Sequence, residues 1–479
     1  PQISLLSRVA VLVAGAICIG LCLFGIRGRM GYNPIKVSQA YYCEDPFLNQ
    51  LGVNPVFNLL TSTLDDNRKE NRTLHLMSEE DALSKVQKYL HRQGIDRLSP
   101  IARKVEREGT PNRRNVVLVF MESMSANLMG TFGSDKKLTP YLDSLYQQSL
   151  SFSHFYSSGI HTNHGIYSTL YSFPAIMKRN AMKGSVIPVY SGLPTVLQEN
   201  GYCNLFFMTH ESQYDNMNAF LRTNGFDEIY AQENYPSEKV VNSFGVQDDF
   251  MYQYALPILN ERAGTGNPFF SVLLSISNHP PYVIPPYFHP HSDVLEEQIV
   301  EYADWSIRQF MQAAEKQPWF DNTIFVFLGD HGKMVGTPEC EMPQSYTHIP
   351  LIIYGKDIKP GVYDGFGGQV DVSPTLLGLL NISYLQNNFG VNLLEEERPC
   401  MFFTADNLIG ARDSVNMFIY SPDSQQEFKY KLEEGKLHAA TGTDEEAFRN
   451  LKDYCFSMLQ STESLVKEHK TLDKVSVKK

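Results

Sequence analysis

From Asn115 onward the chain is written in short, continuous apolar runs separated by stretches of helical character. Four of those runs end on a His, Asp or Glu. NVVLVFMES runs out at Glu122, CNLFFMTHES at His210, FFSVLLSISNHPPY at Asn278 and His279, and TIFVFLGDHG at Asp330 and His331. A fifth run, THIPLIIYG, is instead entered through His348. Strands buried on both faces read as uninterrupted apolar runs, whereas a strand with one wet face alternates. Such runs interleaved with helical stretches predict an α/β fold: a mostly parallel central sheet flanked by helices on both faces. In sheets of this kind the ligand site lies beyond the carboxyl ends of the strands. Histidine accounts for only 13 of 479 residues. Three of four strand ends carrying one therefore point to a site.

The sequence before Asn115 has a different texture. Between Arg8 and Arg27 lie eighteen uncharged, mostly apolar residues, VAVLVAGAICIGLCLFGI. That length suits a helix crossing about 30 Å of hydrocarbon. Signal-peptide apolar cores are shorter and lead into a small-residue cleavage site, which is missing here. Arginines stand on both sides (Arg8 against Arg27 and Arg29), so the positive-inside rule fixes no orientation. The chain opens on Pro1 rather than Met, which leads us to expect the downstream part of a longer protein with more spans upstream. The expected organisation is a transmembrane helix over 1–29, a juxtamembrane connector over 30–112, a catalytic domain over 113–440, and a terminal helix with a Lys-rich, unstructured tail over 441–479. Within the connector, SEEDALSKVQKYLHRQ predicts a helix capped by Ser78, with Asp81 three residues on. The formal net charge of −12 argues against a nucleic-acid partner, because phosphate-backbone binding needs clustered Lys and Arg. The seven cysteines show no CxxC pairing and give neither a disulfide scaffold nor a zinc ribbon.

Glu122, Asp330 and His331 offer two carboxylates and an imidazole. That mixed oxygen and nitrogen set suits one divalent ion of the Mn, Zn or Mg type rather than a thiolate-seeking metal. The stretch SSGIHTNHGIYSTL, residues 157–170, reads as a turn running into a helix stopped by Pro174. A hydroxyl at Thr162 near a helix amino terminus would face the positive end of the macrodipole. Bound to a divalent metal, it becomes a competent nucleophile. His161, Asn163 and His164 could then donate to a phosphoryl oxygen. The alternative for Thr162 is a plain N-cap.

These motifs, in their order, resemble the sulfatase-like branch of the alkaline phosphatase superfamily, and within it the lipoteichoic acid synthase and phosphoglycerol transferase group. The matching stretches are NVVLVFMESMS, LTPYLDSLYQQSLSFSHFY, the Thr162 turn, SISNHPPY, WFDNTIFVFLGDHG, HIPLIIYG and VDVSPTLLGLL. The resemblance implies Thr162 as nucleophile, Glu122, Thr162, Asp330 and His331 as metal ligands, and His279 and His210 as substrate-pocket histidines. It implies Mn as the expected ion, with Mg or Zn as alternatives. It also implies a cell-membrane enzyme whose catalytic domain stands outside the bacterial cytoplasm, the span before Arg27 being the last of several. Two departures matter. The turn HTNHG holds no Cys or Ser of the kind that sulfatases proper convert to formylglycine. After His210 the segment reads ESQYDNMNAF, with Asp215 and Met217 where the group carries a Trp and an Arg. Asp215 and Asn216 would then read a hydroxylated or amine-bearing headgroup. His348 could contact a second metal or the phosphate, or simply begin a strand.

The expected activity is therefore phosphoglycerol transfer. A membrane phospholipid would be the donor, a phospho-threonine the intermediate, and a polyol-phosphate polymer or glycan the acceptor. The rivals are a phosphoethanolamine transferase, a phosphodiesterase, phosphatase or sulfatase-like hydrolase of the same fold, and a non-catalytic envelope protein with a structural metal.

Overall fold

The computed structural model describes residues 4–472 apart from 31–33, 44–45, 69–70, 72, 96–97, 185–186, 434 and 441–444. The Lys-rich tail from 473 onward lies outside the described residues. The centre is an eight-stranded sheet: β1 (Asn115–Met121), β2 (Leu150–Tyr156), β3 (Cys203–Met208), β4 (Glu228–Tyr230), β5 (Phe269–Leu274), β6 (Thr323–Gly329), β7 (Leu351–Tyr354) and β8 (Gly361–Gly368). Its spatial order is β8-β2-β7-β6-β1-β5-β3-β4. β7 is antiparallel to both of its neighbours, and every other pairing is parallel. This is the α/β sheet expected from the apolar runs, and the four that end on His, Asp or Glu are the adjacent strands β6, β1, β5 and β3.

The alternation of side chains along β1 shows why those runs carry so few polar residues. Val116, Leu118 and Phe120 enter one hydrophobic core, while Val117, Val119 and Met121 enter the other. The first core is closed by helices Thr162–Tyr171, Leu193–Glu199 and Val372–Leu379, and the second by Pro140–Gln147, Asp248–Ala263 and Leu295–Ala314. Both faces being dry, a polar side chain in mid-strand would be buried without water to bond it.

Register then sets the site. In the β1–β6 pairing Met121 lies opposite Gly329, so the next residues, Glu122 and Asp330, leave the sheet side by side. The amide of Asp330 donates to Met121 O at 3.2 Å and extends the pairing one step past the strands.

A five-stranded antiparallel meander, from Met401–Thr404 to Lys436–Ala439, follows the main sheet. Helix Glu445–Lys467 packs on it and on helix Glu79–Tyr89. That second helix is capped as its sequence predicts, with Ser78 Oγ accepting from Asp81 N at 3.2 Å. Strand Arg103–Val105 pairs with Tyr384–Gln386. At the other end, helix Leu5–Arg27 has 23 residues, a mean hydropathy of 2.8 and no buried residue, which makes it long and apolar enough to cross a membrane. No disulfide joins the cysteines among the described residues.

Candidate active site

The polypeptide that carries Thr162 is held by packing rather than by helix propensity. TNHGIYSTLY is poor in strong helix formers, yet every residue from Asn163 to Tyr171 is buried. Thr162 is the first helical residue and His161 is the N-cap, without a side-chain cap bond. The hydroxyl of Thr162 is therefore not spent on capping and donates to Glu122 Oε2 at 3.4 Å. The helix ends at Ser172, left-handed at φ 58°, two residues before the Pro174 expected to stop it. Gly165 allows this helix to sit against the end of β6: a Cβ there would lie 2.3 Å from Asp330 O.

Glu122, Asp330 and His331 each present a ligand atom, and these atoms all lie within 4.8 Å of one another. Asp330 and His331 each keep one coordinating atom clear of hydrogen bonds, while both Glu122 oxygens accept from hydroxyls. Asp330 Oδ1 accepts from the amides of Ser123 and His331, at 2.8 and 2.7 Å. Asp330 Oδ2 is buried without a hydrogen-bond partner. His331 Nδ1 lies 2.8 Å from Gly332 O, which can only accept, so Nδ1 carries the proton and Nε2 offers its lone pair. Nε2 stands 3.5 Å from Asp330 Oδ2 and 3.8 Å from Glu122 Oε1. Burial, and then the negative charge of Asp330, push the Glu122 carboxyl well above its ordinary pKa. Two buried carboxylates, one of them with an orphaned oxygen, and one imidazole lone pair form a donor set that fits a divalent cation.

His279 and His210 flank this group. Nδ1 of His279 donates to Pro280 O at 2.6 Å, and Nδ1 of His210 donates to Glu211 O at 3.0 Å. Burial lowers the pKa of both rings. In the neutral state each therefore turns a lone pair, not an N–H, outward at Nε2. The sequence reading treats them as neutralising phosphoryl oxygens. In this geometry they do so only by taking up a proton when the anion arrives.

The sequence model of the sulfatase family matches residues 114–382. The chain belongs to the sulfatase family. This sulfatase-family chain is 25% identical over 363 residues to a lipoteichoic acid synthase-like protein of Bacillus subtilis, covering 68% of this chain and 56% of that protein. It is 25% identical over 394 residues to lipoteichoic acid synthase of Staphylococcus aureus, covering 74% and 58%. It thus spans little more than half the length of these curated relatives. Among solved structures, an alkaline phosphatase superfamily protein of Vibrio parahaemolyticus aligns with TM-score 0.75 and 25% identity, over 84% of this chain and 99% of that one. The lipoteichoic acid synthase LtaP of Listeria monocytogenes aligns with TM-score 0.64 and 22% identity, over 80% and 98%.

The remaining residues singled out in this sulfatase-family sequence fall into two sets. Asn163 turns toward Asp215, donating from Nδ2 to Oδ2 at 3.1 Å. His161 pairs through Nε2 with Asp406 Oδ1 at 2.5 Å. His164 and His348 are engaged by the fold. His164 Nε2 donates to Arg179 O at 3.2 Å, and burial drives its pKa down to about 3. His348 Nε2 donates to Ser153 O at 2.9 Å and the ring stacks on Tyr156, which is the strand-start alternative. Because β7 runs antiparallel, its first residues lie at the same edge as the ends of its neighbours, so His348 reaches the edge that carries the site. Lys333, three residues past Asp330, is half-buried. Its Nζ donates to Asn278 Oδ1 at 2.6 Å, and burial pulls its pKa down to about 8. Sequence reasoning passed over Ser123, whose hydroxyl donates to Glu122 Oε1 at 2.7 Å. It also missed Asp406 and Lys183, which stand far from the motifs in sequence.

Proposed function

We propose that this sulfatase-family enzyme is a membrane-anchored, metal-dependent phosphotransferase. It moves a glycerophosphate headgroup from a phospholipid to a hydroxyl on a polyol-phosphate polymer or glycan. The reading rests on one observation above all: the Thr162 hydroxyl is bonded to Glu122 inside the group formed with Asp330 and His331. Relatives named as lipoteichoic acid synthases support the choice of headgroup. Helix Leu5–Arg27 supports the anchor, as do the outward apolar residues Val56, Leu59, Leu60 and Leu64 of helix Pro55–Asp66.

Glu122, Asp330, His331 and Thr162 would hold one divalent cation, with Mn expected. When bound, that ion would stabilise a threonine alkoxide near neutral pH. Thr162 Oγ1 attacks the phosphorus of the lipid diester. The Oγ1–P bond forms as the P–O bond to diacylglycerol breaks, and the diacylglycerol oxygen leaves with a proton. An acceptor hydroxyl then attacks the phospho-threonine, loses its proton and restores Thr162. His279 and His210, protonated on phosphate arrival, balance the phosphoryl charge through both displacements. Two covalent half-reactions predict ping-pong kinetics.

The test is intact mass of the chain after incubation with Mn and single phospholipids. A glycerophosphate increment that disappears in Thr162→Ala supports the reading, and turnover should then fall by at least about 10³-fold. A phosphoethanolamine increment would replace the headgroup and keep the nucleophile. Released headgroup with no increment would make the enzyme a hydrolase.

A further inference from the structure

Beside the nucleophile stands a rim of polar groups that the two-step transfer does not use. Asn163, next in sequence to Thr162, is 9% exposed. Its Nδ2 is committed to Asp215 Oδ2, and because a carboxylate only accepts, this fixes the orientation of the amide. The carbonyl oxygen Asn163 Oδ1 is then left buried without a hydrogen-bond partner. Asp215 and Asn216 both hold left-handed backbone, at φ 49° and 67°. Such strain persists only where the surroundings impose it. Here Lys183 Nζ donates to Asp215 Oδ1 at 2.9 Å, and Asn216 Nδ2 donates to Met182 O at 2.8 Å.

The buried atom left without a partner here, Asn163 Oδ1, accepts, so the group it seats must donate. Hydroxyls and an ammonium both qualify, and the charges separate them. Asp215 is already neutralised by Lys183. A second cation, Lys36, lies within electrostatic reach of Lys183, Asp215 and Glu211, and Glu211 is itself paired with Arg29. An ammonium would meet two carboxylates, Asp215 and Glu211, each already paired with a cation, and two lysines that repel it. A neutral polyol meets the same acceptors with no such cost.

We propose that the Lys183–Asp215 pair is a selectivity element that admits an uncharged, hydroxyl-bearing headgroup and rejects an ammonium-bearing one. This rests on the transfer reading above for what binds beside Thr162.

The test compares full-length wild type with Lys183→Ala and Lys183→Arg. The lysine side chain is half-exposed, so its removal leaves the core untouched. Each protein is incubated with Mn and equimolar phosphatidylglycerol and phosphatidylethanolamine, and the two Thr162 adducts are quantified by intact mass. In parallel, free glycerol phosphate and phosphoethanolamine are titrated into the Thr162→Ala form of each. Wild type should favour the glycerol compound in both assays. Lys183→Ala should move the ratio toward the amine by about tenfold, and Lys183→Arg should keep the wild-type ratio. An unchanged ratio in Lys183→Ala, or a wild type that prefers the amine, overturns the inference. If no lipid gives an adduct while the binding preference and its Lys183 dependence persist, transfer is wrong and the selectivity element stands.

Discussion

At the scale of single residues, the site is a balance of charges that only a cation completes. Glu122 is buried beside Asp330, and its carboxyl is pushed up first by burial and then by that neighbour. A carboxyl with a raised folded pKa makes the folded state bind more protons than the unfolded one. Stability of the metal-free protein therefore falls as pH rises from the unfolded carboxyl pKa toward the folded one. Glu122→Gln removes this cost. In chelator at pH 8 we expect its Tm to equal or exceed that of wild type. It should also lose the Mn-induced rise, which in wild type reaches about 2.7 kcal/mol at 100 times Kd. Melting curves with and without Mn check both halves. His348 makes the opposite kind of prediction. Burial holds its pKa down to about 4 against an unfolded value near 6.5. The unfolded chain thus binds the extra proton between those limits, and stability is full above the upper one and lost as pH falls toward the lower. The loss is about 3 kcal/mol, at about 1.4 kcal/mol per unit. His348→Gln, which can still donate to Ser153 O, should flatten that acid limb in urea titrations between pH 7 and 4.5.

At the scale of elements, the helix that begins at Thr162 is positioned by what it touches, and Gly165 is the contact that permits it. An alanine there would put its Cβ 2.3 Å from Asp330 O, so helix or strand end must give way. Gly165→Ala should cost about 1–3 kcal/mol as an overpacked core site. It should lower adduct formation far more than the loss of folded protein explains, measured at a temperature where the variant is fully native. The same elements show where sequence reading succeeds and where it stops. Runs such as Asn115–Met121 are legible because a strand buried on both faces tolerates few polar residues, and Glu122, Asp330 and His331 are legible as the first ionisable residues after such runs. The reversed direction of β7 is not legible, since an apolar run has no sense of direction. Thr162 as first helical residue rather than N-cap is beyond reach too, because the two differ by one residue in a helix whose composition barely favours helix. Lys183 and Asp406 carry no periodic or motif signal. They reach the site only through loops folded back from elsewhere in the chain.

At the scale of the whole molecule, both ends of the described chain are drawn to the site. Behind the apolar helix Leu5–Arg27, Arg29 pairs with Glu211, the residue after His210. Asn218 Nδ2, a few residues on, donates to Ser38 O and Tyr41 O at 3.1 and 2.9 Å. The segment around His210 is thus tied to the segment that leaves the apolar helix, as the lipid donor proposed above would require. From the other end, helix Glu445–Lys467 inserts Glu463, which is 4% exposed. This carboxylate pairs with Arg179 and accepts from Leu74 N at 3.2 Å. Arg179 O in turn accepts from His164, two residues after Thr162. Glu463 therefore stands two contacts from the helix that begins at Thr162, and under the proposed transfer it would act as a positioning residue. Removing it leaves Arg179 without its main counter-charge, and breaking a buried pair costs about 3–5 kcal/mol. Because Arg179 is partly exposed, we place Glu463→Ala at the lower end, about 3 kcal/mol in denaturant unfolding. Glu463→Gln keeps the acceptor for Leu74 N and should recover part of that loss. If the connection to His164 matters for catalysis, Glu463→Ala should slow phospho-threonine formation in the folded protein without changing headgroup affinity. A purely structural helix would lower stability and leave that rate alone.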